Sequence, residues 1–263
     1  MVGWPAANSA VAVVRPQGEQ GVRGDRARVF PWASITKLLS AYACLVAAEA
    51  GTIDLDEPAG PPGSTIRHLL AHASGLPFLS GQPWGRPGVR RVYSNVGIEL
   101  AAQTLAERAG VPFEQHVREA VLEPLGMAAV LDGSPAYGLR GSLDDLVAFA
   151  RELLAPQLIA PETLAEATSV QFPGLGGVLP DIGRYDPNDW GLGFELKDGK
   201  DPHWSGTRTS SRTFGHFGGS GTFLWVDPEQ QLALACLTDL EFGAWAMDAW
   251  PRLSDAVLEE AVS

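Results

Sequence analysis

The spacing of apolar positions changes character twice along the chain. Near the start, Ser-Ala-Val-Ala-Val-Val-Arg (9–15) and residues 20–24 flank Pro16-Gln17-Gly18-Glu19, which predicts a hairpin of two strands. From Ser34 to Ala50 nearly every residue is apolar or small and Gly51 stands as the stop, so a helix buried on most sides is expected. Residues 52–63 read as a loop ending in a Pro/Gly run, and Ser64 reads as the cap of a short helix over 64–73. Residues 78–92 are rich in Gly, Pro and Arg and lead into Tyr93-Ser94-Asn95. Helical periodicity follows over 96–110 and 113–124, and Ser142-Leu-Asp-Asp145 has capping-box spacing ahead of a helix at 143–154. Near Trp190 the strand pattern returns: 190–196, 213–216, 222–226 and 231–238, the last two joined by Asp227-Pro-Glu-Gln230, before a final helix at 243–260.

Strands at both ends with helices between them predict the α/β class, of α+β type. One antiparallel sheet is assembled from the two termini and flanked by helices, with a helical subdomain inserted. The expected division is a single domain, 1–263, in which 1–55 and 190–263 form the sheet-and-helix part and 56–189 a mainly helical insertion.

Composition narrows the partners. The chain has 263 residues, 45% of them hydrophobic, and a formal charge of -12, with its 19 basic residues scattered rather than gathered into a stripe. That excludes a nucleic-acid footprint and points to a small-molecule partner. Residues 1–14 lack a basic start, and their apolar run is too short for a leader or a membrane span, so a cytoplasmic protein is expected. Cys44 and Cys236 fall in a helical and a strand pattern and read as buried reduced thiols. Nothing in the sequence specifies an oligomeric state.

Candidate chemistry begins at Phe30-Pro-Trp-Ala-Ser-Ile-Thr-Lys37. A serine hydroxyl needs a base, and a lysine can act as one only if burial or neighbouring charge destabilises its ammonium. Residues i and i+3 share a helix face, so Lys37 can reach back to Ser34 beside the free N–H groups of a helix start. Alone, the spacing also fits a capping serine and a surface lysine.

Two further elements stand downstream: Tyr93-Ser94-Asn95 and Gly215-His-Phe-Gly-Gly-Ser-Gly221. With them, and with Leu69–Pro77 and Trp190-Gly-Leu-Gly193, the chain resembles the serine β-lactamase and penicillin-binding superfamily over about residues 9–240. Its likeness is to the class C and family VIII esterase branch. The resemblance implies a β-lactamase/transpeptidase-like fold, Ser34 as nucleophile, Lys37 as its base, and Tyr93 sharing the proton traffic. It implies that Asn95 holds the Lys37 amine and the substrate amide. It also implies an oxyanion hole at the Ser34 and Gly219 N–H groups, with His216 and Gly218 beside it. A phenol of ordinary pKa, about 10, can serve as base only if its surroundings lower that value. The glycines at 215, 218, 219 and 221 fit a substrate lying along a strand edge. His216 stands where lactamases usually have lysine, and a neutral imidazole recruits a carboxylate less well.

The expected activity is hydrolysis of a small ester or amide through an acyl-enzyme, without metal or cofactor. β-Lactamase or D-Ala-D-Ala carboxypeptidase chemistry is one alternative. A non-catalytic ligand-binding role is another, against which Ser34, Lys37, Tyr93 and Asn95 are all intact. His68 and His72 have i, i+4 spacing but no third ligand, and His116 and His203 have no recognisable partner. Ser220 fails the Gly-x-Ser-x-Gly pattern because Thr222 occupies its last position. The runs Trp84–Arg91 and Ser205–Arg212 read as rims of the substrate pocket.

Overall fold

A computed structural model describes residues 4–262; the first three residues of the segment read for a leader lie outside it. In chain order the strands are β1 (Ser9–Arg15), β2 (Gly18–Arg23), β3 (Phe30–Pro31), β4 (Arg91–Val92), β5 (Val130–Leu131), β6 (Leu139–Gly141), β7 (Gly177–Leu179), β8 (Gly183–Tyr185), β9 (Glu195–Leu196), β10 (Phe214–Gly218), β11 (Thr222–Asp227) and β12 (Leu232–Thr238). The helices are α1 (Thr36–Glu49), α2 (Ile66–Leu70), α3 (Asn95–Ala109), α4 (Phe113–Val117), α5 (Leu143–Leu154), α6 (Pro161–Ala167) and α7 (Ala244–Val262). The main sheet runs β2-β1-β12-β11-β10-β9, antiparallel throughout. The first strand thus lies beside the last, with Val11 opposite Cys236, and the two termini build one sheet as the pattern predicted.

Both faces of that sheet are covered, and the period of two sorts residues by size. Ala10, Ala12, Ala233 and Ala235 belong to the core shared with α1, α3 and α5, whereas Phe223, Trp225, Leu234 and Cys236 pack with Trp250 of α7. Small side chains on one face let α5 approach the central strands closely; aromatics on the other fill the space under α7. Cys44 and Cys236 are buried free thiols. Among the described residues no helix is long and apolar enough to cross a membrane.

Several boundaries differ from expectation. Thr65, not Ser64, caps α2, its side chain accepting the His68 N–H, and that helix is only Ile66–Leu70. The helix expected over 113–124 is α4 continued by a π turn, Arg118–Leu122. Of residues 190–196 only β9 joins the ladder. Strands of 56–189 form two small sheets beside the helices, β4-β7-β8 and β3-β6-β5, the second taking β3 from residues 30–31, and α5 packs on the main sheet. The Ser142–Asp145 capping box forms in both directions.

The segment before β9 presses on α1 through Gly193. Its φ is +80°, and a Cβ there would stand 2.2 Å from the Ala41 Cβ. Gly193→Ala therefore combines left-handed strain with overpacking one turn beyond Lys37, and a loss of about 3 kcal/mol is expected. Urea unfolding should show a lower midpoint at unchanged slope.

Candidate active site

The turn before α1 meets the edge of β10 and β11. Ser34 sits not in the first α-helical turn but in one 3₁₀ turn, Ala33–Ile35, which has no side-chain cap. Ala33 takes φ +46°, a conformation unfavourable for a residue with a Cβ. The turn is held by the Trp32 carbonyl, which accepts from the Ile35 N–H and, at 3.0 Å, from the Thr222 hydroxyl.

Lys37 is completely buried, with Nζ 2.9 Å from Ser34 Oγ and 2.9 Å from the Ala136 carbonyl. Burial lowers its pKa to about 7; the charge of Glu99 acts in the opposite sense but does not outweigh it. The Glu99 carboxylate is engaged at 2.5 Å by the Ser134 hydroxyl, in the loop that offers Ala136 to the amine. The chain has three lysines, 37, 197 and 200, and all are buried.

The Tyr93 hydroxyl donates to His216 Nε2 at 3.2 Å, and His216 Nδ1 faces the Phe217 carbonyl at 2.5 Å. A carbonyl only accepts, so Nδ1 carries the ring proton and Nε2 is the acceptor. Burial, reinforced by Lys37, pushes His216 down to about 3 and keeps it neutral. Burial pushes the Tyr93 phenol up, opposed by its hydrogen bond with Ser34. The condition under which Tyr93 could serve as a base, a lowered pKa, is not met; the phenol stays protonated. Its ring centroid lies 4.9 Å from Lys37 Nζ.

Other expected members are placed differently. The Lys37 amine bonds the Ala136 carbonyl rather than Asn95, whose Oδ1 is buried without a partner. Gly218 ends β10, where a Cβ would meet Thr222 Oγ1 and the Trp32 carbonyl at 2.4 Å, so packing already requires that glycine. Gly219 faces open space. Arg91 borders the cleft beside Tyr93 but offers it no free charge: the side chain is buried, and its guanidinium donates to the carbonyls of Asn188, Ala71, Gln171 and Phe172. The run 205–212 is an anchored loop, in which buried Lys197 donates to the carbonyls of Gly206 and Thr209 and to the Thr209 hydroxyl.

Two participants went unread in the sequence. Ala136 acts through a backbone carbonyl, which no residue pattern reveals. His72 lies within the Leu69–Pro77 stretch already singled out, but only as half of a metal spacing with His68. It is fully buried, accepts the Ser94 N–H at Nδ1, and packs on Tyr93 and Trp190 with ring centroids 4.7 and 4.6 Å away. His68 instead stacks on Phe172. Among the described residues no group of three or more His, Cys, Asp and Glu could hold a metal ion. Beside Tyr93 opens a cleft of about 540 Å³, lined by Phe78, Trp84, Val178 and Pro180 among apolar groups and by Arg90, Asp181 and Arg184 among charged ones.

A sequence model described as Beta-lactamase matches residues 7–131 and 128–259. The chain belongs to the beta-lactamase family. A solved family structure, a beta-lactamase from Mycobacterium bovis, is 52% identical and superposes with a TM-score of 0.97 over 99% of this chain and 97% of its own. The D-alanyl-D-alanine-carboxypeptidase/endopeptidase AmpH of Escherichia coli K12 is 29% identical in a match covering 43% of this chain and 37% of AmpH, so the chain spans well under half of that relative. EstCE1, a hydrolase with promiscuous acyltransferase activity, shares the fold at 17% identity, with a TM-score of 0.79 over 96% of this chain and 93% of its own.

The buried histidines tie stability to pH. His72 and His216 titrate below their unfolded value of about 6.5, so between that pH and their folded values the unfolded chain binds more protons, and stability falls as pH falls. From pH 6.5 to 5 His216 should contribute a loss of about 2 kcal/mol, and His72 a further loss of the same sign. Denaturant titrations at the two pH values should show a smaller difference for His216→Asn than for the parent.

Proposed function

We propose that this family member is a serine hydrolase that cleaves a small ester or amide through an acyl-enzyme on Ser34. The observation that carries the reading is the 2.9 Å contact between Ser34 Oγ and a fully buried lysine with a pKa near 7. At neutral pH a large fraction of Lys37 is free amine, with a lone pair for the serine proton. As Ser34 Oγ bonds the substrate carbonyl carbon, its proton passes to Lys37. The ammonium so formed lies over the Tyr93 face, an arrangement that favours a cation. Backbone N–H groups of Ser34 and Gly219 stabilise the oxyanion. Collapse breaks the bond to the leaving oxygen or nitrogen, which takes a proton from the Tyr93 hydroxyl; Lys37 restores that proton. Water then repeats the sequence: it loses a proton to Lys37, its oxygen bonds the acyl carbon, and Ser34 leaves reprotonated. His216, neutral and accepting from Tyr93, orients the phenol. Asn95, with an unpartnered buried Oδ1, is available to a substrate N–H.

Ser34→Ala should abolish release of p-nitrophenol from p-nitrophenyl butyrate, and a butyryl adduct should appear by intact-protein mass spectrometry only when Ser34 is present. Equal release by both proteins would refute the assignment. Below its pKa Lys37 is an ammonium and cannot accept a proton, so kcat/KM should fall about tenfold per pH unit below 7 and level off above it. A rate independent of pH between 5.5 and 8.5 would exclude Lys37 as base.

A second reading, hydrolysis of β-lactams, draws support from the M. bovis relative at 52% identity. The neutral His216 weighs against tight capture of the lactam carboxylate. Turnover of nitrocefin with a kcat/KM exceeding that for the butyrate ester would favour this second reading.

A further inference from the structure

The cleft beside Tyr93 is unusual in both its apolar and its charged surface. Among the described residues nine large hydrophobic side chains are exposed, and five of them, Phe78, Leu79, Trp84, Val89 and Val178, stand on the two segments that wall the cleft. Trp84 is 61% exposed. Such a concentration marks a surface that something apolar covers. At about 540 Å³ the cleft has the size of a site for one small organic molecule.

The charge is equally uneven. The chain carries a net -12, yet residues 78–92 hold Arg86, Arg90 and Arg91 and no acidic residue. Arg90 and Arg184 line the cleft against one carboxylate, Asp181. Arg90 uses one N–H on the Trp84 carbonyl, at 2.6 Å, and forms no ion pair among the described residues. Arg184 reaches Asp186 only at 4.0 Å, with both side chains more than two-thirds exposed, a pair of little strength. Both guanidinium groups therefore keep donors for an anion. Arg91 does not, since carbonyls occupy it, and neutral His216 carries no charge to offer.

We propose that the cleft binds an apolar chain ending in an anionic group, a carboxylate, sulfate or phosphate. The chain lies against Phe78, Trp84 and Val178, and the anion meets Arg90 and Arg184. This rests on the hydrolase reading only in placing the reacting carbonyl at Ser34; the binding itself is independent of turnover.

Octanoate, octylammonium and octanol, each below its micellar concentration, distinguish the possibilities by calorimetric titration into the parent protein and into Ser34→Ala. Octanoate should bind both proteins at least about tenfold more tightly than either other probe at low salt, with the preference shrinking as salt rises. Arg90→Gln and Arg184→Gln, at exposed positions whose melting temperatures should match the parent, should each weaken octanoate about fivefold and leave octanol unchanged. Equal affinity for octanoate and octylammonium, or indifference to both arginine variants, would overturn the proposal. Association seen only with micelles would overturn it too, since that outcome means docking on a lipid surface. Arginine-dependent octanoate binding in a protein that hydrolyses no ester would uphold the cleft and remove the hydrolase reading instead.

Discussion

A lysine buried without a carboxylate is the constraint around which the site is organised. An ammonium removed from water is strongly disfavoured unless it is paired, and the side chain relieves this by giving up its proton. The hydrogen bonds of Lys37 go to a serine hydroxyl and a backbone carbonyl. The arrangement depends on elements far apart in sequence. The 3₁₀ turn aims Ser34, the loop at 134–136 presents the Ala136 carbonyl, and Ser134 of that loop holds Glu99, whose charge favours the ammonium but does not outweigh burial.

The same exclusion of water sets the neighbours. His216 is neutral because it is buried beside Lys37, and its tautomer is fixed by the Phe217 carbonyl, so Tyr93 can only donate to it. Tyr93 in turn remains a phenol. In the mechanism we propose, one base near neutrality and one phenol that keeps its proton divide the labour, and environment, not residue type, assigns the roles. The sheet underneath supplies the rigidity: its alternation of alanines and aromatics brings helices close on both faces and holds β10 against the turn that bears Ser34.

Much of this was legible from residue order. The long strands and helices carry clear periods, and Ser34, Lys37, Tyr93 and His216, spread over 183 positions, are brought together by the sheet built from both termini. Elements of two or three residues, such as β5 and β7, are too short to show a period, and they went unread. Thr65 and Ser64 are adjacent hydroxyls with equal claim to a cap, and only the backbone decides between them. Backbone ligands leave no trace in the sequence, which is why Ala136 was missed and why nothing showed that four carbonyls occupy the Arg91 guanidinium at the cleft wall. The packing of Gly218 against Thr222 and the Trp32 carbonyl is a tertiary requirement that no local pattern shows.

The central claim is that Lys37 exchanges its proton near neutral pH. With only three lysines in the chain, selective ¹³Cε labelling of lysine followed by an NMR pH titration observes it directly. One resonance should titrate at about pH 7 and be missing from Lys37→Met. If the resonance lost in that variant titrates instead near the ordinary lysine value of about 10.4, Lys37 is an ammonium at neutral pH and the account of the site fails.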